Sequence, residues 1–147
     1  MGRSTALLFL FFGILFFAGC APQVQPSAAT KQEACSQKLY NHEWRLVMID
    51  NEEVRVPKPV FIRFRADGGF GGFGGCNSFF GDAAITETAI EFVRLGSTRR
   101  VCSGMEGEVE RHLFHMLKGT KWWQFDETED LVIFDDEHRL VFEKSGA

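Results

Sequence analysis

The chain has 147 residues, with 16 Lys and Arg against 20 Asp and Glu and a formal net charge of -4 at pH 7. Mild acidity without clustered Lys and Arg excludes a nucleic-acid-binding role, because Arg63/Arg65, Arg99/Arg100 and Lys118/Lys121 are scattered. Eleven of the sixteen Phe, from Phe61 to Phe142, and three Trp let a domain this small bury a real core, and fifteen Gly indicate tight turns.

The chain opens with Arg3, the apolar stretch Ala6–Phe17 and then Ala18-Gly19-Cys20. A basic start, a short greasy segment, two small residues and a cysteine make up a bacterial lipoprotein export signal. Residues 1–19 are therefore read as a signal peptide, and Cys20 as the lipidated first mature residue. The apolar run is too short for a spanning helix, which needs about 20 residues to cross about 30 Å of hydrocarbon. Ala21 stands where Asp is the usual inner-membrane retention signal, so the expected location is the outer membrane, facing the periplasm. Lipidation leaves Cys35, Cys76 and Cys102, enough for one disulfide and one orphan thiol in an export compartment. Composition does not choose among the three pairings.

Residues 20–38 are polar, hold two prolines and lack an apolar period, which makes them a flexible tether. The domain is assigned to 39–147. Trp44, Leu46 and Met48 share one face of a first strand, and Asp50-Asn51-Glu52-Glu53 turns it. Val60, Ile62 and Phe64 alternate with Phe61, Arg63 and Arg65, as in a half-buried strand. Asp67-Gly68 is a hairpin signal, and Phe70–Cys76 reads as a bulged returning strand. Ile85 and then Ile90/Phe92 mark two further short strands.

Ser103-Gly104-Met105-Glu106 has the form of a capping box. Met105, Val109, Leu113, Met116 and Leu117 then recur at helical spacing, and Gly119 closes a helix expected over 104–118. Trp122–Phe125, Leu131–Phe134 and Leu140–Phe142 follow as three apolar runs with polar turns between them. The fold class is α+β, a curved, barrel-like antiparallel sheet of short strands wrapped around one amphipathic helix.

Motifs that would carry chemistry are weak. Gly68–Gly75 has no Gly-Lys-Ser/Thr ending and opens no helix, so it is not a phosphate loop. No Cys-x-x-Cys pair supports redox work, and no Gly-x-Ser-x-Gly surrounds a serine. His112 and His115 share a helix face with Glu108, but further matching ligands are not evident, so they read as surface histidines and no metal is assigned. No cofactor is implied. Of the neighbours Trp122 and Trp123, which face opposite ways on a strand, one belongs to the core and the other is a contact residue.

Gly74-Gly75-Cys76-Asn77-Ser78-Phe79-Phe80-Gly81, Ser97-Thr98-Arg99-Arg100-Val101-Cys102 and the acidic helix form a longer pattern. With Trp44 upstream and the closing strands, it resembles the META domain of the HslJ heat-shock family over about residues 40–143. The resemblance marks Gly75, Asn77, Gly81, Thr98 and a helix glutamate as motif positions. Glu110 fits that glutamate better than Glu108, because Leu113, Phe114 and Leu117 follow it at the right spacing. Arg100 departs from the family, which often has Met there. The family pairs its two motif cysteines, which implies a Cys76–Cys102 disulfide. Such a loop of about 27 residues is worth on the order of 3.5 kcal/mol. All of these are structural roles. The family also implies a non-catalytic envelope or stress role through an envelope partner. The alternative is a pilotin-like carrier whose aromatic interior takes an acyl chain or a hydrophobic peptide tail.

Overall fold

The computed structural model describes residues 37–146. The leader at 1–19, Cys20 and most of the 20–38 tether, Cys35 included, lie outside the described residues. Those described form nine strands and a helix. In chain order the first six are β1 (Glu43–Ile49), β2 (Glu52–Glu53), β3 (Phe61–Phe64), β4 (Gly69–Phe73), β5 (Ser78–Ile85) and β6 (Ala89–Ser97). Then follow α1 (Met105–Met116), β7 (Gly119–Phe125), β8 (Leu131–Phe134) and β9 (Arg139–Lys144).

Every strand pairing is antiparallel, and the order runs β1-β3-β4-β5-β6-β7-β8-β9. β9 returns to pair with β1 from Trp44↔Lys144 to Ile49↔Leu140, which closes a barrel. Closure gives each strand of the main sheet a partner on both sides, although β6 meets β7 only from Ala89 to Phe92. The short β2 hangs on the end of β1 as a hairpin. Its two turn residues, Asp50 and Asn51, both have positive φ (49° and 70°), as a type I′ turn requires.

The expected sheet wrapped around a helix is present. Trp44, Leu46, Val60, Ile62 and Phe64 are buried as the alternation implies. The Asp67-Gly68 hairpin also forms, with the Arg65 amide donating to the Gly69 carbonyl at 2.8 Å. Two strand readings need correction. The strand from Phe70 stops at Phe73, and the Gly74 amide donates to the Asn77 carbonyl at 2.8 Å in a turn. Bulges lie instead between Asp82 and Ala83 of β5, opposite β6, and between Leu46 and Met48 of β1, where the shift pairs Met48 with Val141 and takes it off the face of Trp44 and Leu46. The strands marked by Ile85 and Ile90/Phe92 are also longer than expected, at eight and nine residues. The Gly81-Asp82-Ala83-Ala84 segment hides β5 from propensity, because those residue types are depleted in strands.

The helix also departs from expectation at its start. Gly104, with φ 81°, is the N-cap, and no side chain caps the helix. Ser103 therefore does not form the capping box, and Met105 is 57% exposed rather than core. Gly104, at positive φ, takes the N-cap position itself and so separates Ser103 from the first turn. From there Val109, Leu113, Met116 and Leu117 are buried against the sheet.

Aromatic rings occupy the interior. Phe70 contacts Phe64, Phe79 and Phe92 at centroid distances of 5.1–6.4 Å, and Phe79 meets Phe114 of the helix edge-on at 5.6 Å. The polar tips of the buried indoles are satisfied. Trp44 Nε1 donates to the Leu39 carbonyl and Trp123 Nε1 to the Thr86 carbonyl, each at 2.9 Å. Leu39 is itself fully buried, so the packed domain begins by that residue.

Candidate functional site

The motif residues gather where the β4–β5 turn meets the helix. Cys76 and Cys102, 26 positions apart in sequence, are joined in a disulfide with Cα atoms 6.1 Å apart. This is the pairing that the resemblance implies. It ties the β4–β5 turn to the segment that enters α1.

Beside the disulfide, Asn77 and Glu110 are the two buried polar side chains among the described residues. Glu110 Oε2 accepts from the backbone amides of Cys76 (3.2 Å) and Asn77 (2.5 Å). Its Oε1 accepts from Asn77 Nδ2 at 2.7 Å. The amide of Asn77 is used from both ends. Nδ2 also donates to the Arg100 carbonyl at 3.0 Å, while Oδ1 accepts from the Arg100 amide (2.7 Å) and the Thr98 hydroxyl (2.9 Å). A buried polar group is tolerated when its bonds are made, and here they are.

This geometry explains several motif positions. Glu110 rather than Glu108 is the inward glutamate; Glu108 is exposed. Thr98 supplies a hydroxyl to the network. Arg100 contributes only its backbone and its side chain is exposed, so a departure from Met there costs the network nothing. Gly75 has φ 107°, a conformation that L side chains rarely adopt, and so fixes the turn that aims two amides at Glu110. Gly81 belongs to β5, away from the network. A Cβ there would lie 1.9 Å from the Arg94 carbonyl oxygen and 2.6 Å from the Phe70 ring. Asn77 bridges Glu110, Thr98 and Arg100 across long sequence separations.

Trp122 and Trp123 divide as strand alternation requires. Trp123 is 3% exposed and in the core, while Trp122 is 50% exposed. Trp122 pairs with Phe134 across β7 and β8, and a shallow groove there is also lined by Phe125, Glu87 and Thr88. Cys20, the expected lipidation site, lies outside the described residues.

A second cluster escaped the sequence reading. Asp50, in the β1–β2 turn, accepts the Arg139 amide at 2.7 Å through Oδ1 and contacts His138 Nδ1 at 2.8 Å through Oδ2. Burial alone would raise the Asp50 carboxyl, but the Arg139 amide, the His138 hydrogen bond and the His138 and His112 charges hold it below its ordinary value. The Asp50 hydrogen bond in turn raises His138 above an ordinary imidazole, against a smaller opposing effect of burial. The ring of His138 stands edge-on to His112 (5.9 Å) and His115 (5.6 Å) of α1. Turn chemistry is all that the sequence shows around Asp50 and Asp135–His138. Only barrel closure brings the two turns together beside the helix.

The family model for the META domain matches residues 37–147. An NMR structure of a protein from Burkholderia xenovorans is similar, with TM-score 0.61 and 24% identity over 78% of this chain and 88% of that one. A second NMR structure has TM-score 0.63 and 20% identity, covering 73% of this chain and 92% of the other. These likenesses concern the fold. No curated protein matches the chain. The chain belongs to the META domain family.

Proposed function

We propose that this META domain is the non-catalytic module of an outer-membrane lipoprotein, held by acyl chains on Cys20, and that it serves envelope maintenance or stress tolerance through protein contacts. The observation that carries this reading is the commitment of Glu110. The buried carboxyl of the domain makes three hydrogen bonds to Cys76 and Asn77 and is spent on joining helix to barrel. Around it, the space between sheet and helix is occupied by the protein's own rings and aliphatic side chains. A carrier would keep that space for a guest, so the packing favours contact through the outer surface over uptake of an acyl chain or peptide tail.

The outward Trp122, with Phe134 beside it, supplies an apolar contact surface of the kind buried aromatic anchors use at protein interfaces. Its partner in this reading is an envelope protein with an exposed apolar surface. The leader supports the membrane attachment, since the tether could hold the domain up to roughly 60 Å from the bilayer when extended.

Fractionation of envelopes tests the reading. The native chain is expected in the outer-membrane pellet, and Cys20→Ala in the soluble periplasmic fraction. Persistence of Cys20→Ala in the pellet would overturn the lipid anchor. A substrate turned over by the purified domain would overturn the non-catalytic role.

A further inference from the structure

The hairpin turn after β1, the turn before β9 and the outer face of α1 come together at one corner of the barrel. Each brings a group that binds late transition metals. Asp50 offers a carboxyl, His138 an imidazole and His112 a second imidazole, and one donor atom from each lies within 4.8 Å of the others. His112 and His115 are three positions apart on α1 and so share its outer face. The sequence alone shows only that helical pair.

We propose that Asp50, His112 and His138 form a binding site for a divalent ion of the zinc and copper class. Two imidazoles with one carboxyl suit those ions, whereas calcium and magnesium prefer all-oxygen sets. The distances fit. Bonds of about 2.0–2.1 Å in a tetrahedral site set neighbouring donors about 3.3 Å apart. Asp50 Oδ2 and His138 Nδ1 already stand at 2.8 Å. On binding, the ion replaces the proton between them, and that proton passes to solvent. His112 is exposed and free to turn its ring inward by the remaining ångström or so. A fourth position would be left to water, and the His115 ring stands 5.6 Å from that of His138.

The two turns hold their ligands in place without the metal. Asp50 is fixed by the Arg139 amide, and His138 by donation of its own amide to Asp135 Oδ1 at 2.8 Å. A site whose ligands are oriented by second hydrogen bonds loses less entropy when it closes on the ion. The side chains of Asp50 and His138 are 37% and 29% exposed, so the ion can reach the site from solvent. Asp136 and Glu137, in the same turn, add negative charge that attracts a cation.

The test is calorimetric titration of the full chain, any free thiol alkylated, with zinc ions alone, paired with electron paramagnetic resonance of the copper(II) form. One ion per chain is expected, with a copper spectrum showing two nitrogen ligands. His112→Ala and His138→Ala should each weaken zinc at least tenfold and remove one nitrogen from the spectrum. Asp50→Asn should weaken zinc too, and it keeps an acceptor for the Arg139 amide and a residue suited to positive φ, so the turn survives. His42→Ala is the control and should change nothing. No binding, unaltered affinity in His112→Ala and His138→Ala, or a loss confined to His42→Ala would overturn the site.

Discussion

Glu110 on α1 and Asn77 in the β4–β5 turn, 33 positions apart in sequence, share a buried hydrogen bond of 2.7 Å. That bond, with the adjacent Cys76–Cys102 disulfide, fastens the helix to the barrel twice within one small region. The hydrogen bond is shielded from competing water, because Asn77 and Glu110 are both buried, so it carries more weight than a surface pair.

Glu110→Ala leaves the amides of Cys76 and Asn77 and the Asn77 side chain without their acceptor. Stranding buried donors costs about 1–3 kcal/mol each, and partial relaxation brings the expected loss to about 3 kcal/mol. Glu110→Gln keeps one acceptor oxygen and should lose less. Urea unfolding of both variants checks the order. A double-mutant cycle with Asn77→Ala should show coupling of about 1–3 kcal/mol.

Cys76→Ser opens the covalent loop. The expected loss is about 3 kcal/mol, with one new reactive thiol at Cys102. Thiol titration under native conditions and a thermal melt together measure it. Stability equal to the wild type, with no added thiol, would contradict the bridge.

The two tryptophans should part company. Trp123 is buried, and Trp123→Ala is expected to cost about 3–5 kcal/mol through the cavity it leaves. Trp122→Ala, at the half-exposed neighbour, should stay within about 0.5–1 kcal/mol of wild type. Denaturant midpoints distinguish them. In the proposed contact role, Trp122→Ala leaves the fold intact but impairs envelope function.

Asp135 gives the acid response. Burial alone would raise its carboxyl, but the amides of His138 and Glu137 and the Lys121 ammonium hold it at about 2, against an ordinary 3.8. A depressed folded value stabilises the protein above the unfolded pKa, and the gain disappears as pH falls through the folded one. The wild type should therefore lose about 1–2 kcal/mol between roughly pH 4 and pH 2, after allowance for partial exposure. Asp135→Asn should lack that step and be the weaker protein at pH 7. Urea midpoints at pH 7, 4 and 2 check both statements.

Much of the fold could be read from residue patterns. Val60, Ile62 and Phe64 alternate cleanly, and Val109, Leu113 and Leu117 recur at helical spacing, because one face of each element is buried. Ser103 is a false start signal for the helix, since a capping box is a local pattern and Gly104 with its positive φ overrides it. The full length of β5 is not legible in its sequence, because its glycine, aspartate and alanine are held there by pairing rather than propensity. At the polar network, the family pattern pointed to Asn77, Thr98 and Glu110, but not to how they bond to one another. Asp50 and His138 gave no signal at all. They are ordinary turn residues until β9 pairs with β1, a contact between the two ends of the domain that no local window contains.

The account turns on a barrel filled by its own side chains, leaving only its surface for partners. Native mass spectrometry of the Cys20→Ala protein, isolated without detergent, tests this most directly. The predicted result is the mass of the polypeptide with no lipid or peptide guest. A guest retained at one per chain, and released only when Phe70 or Phe79 is changed, would contradict it.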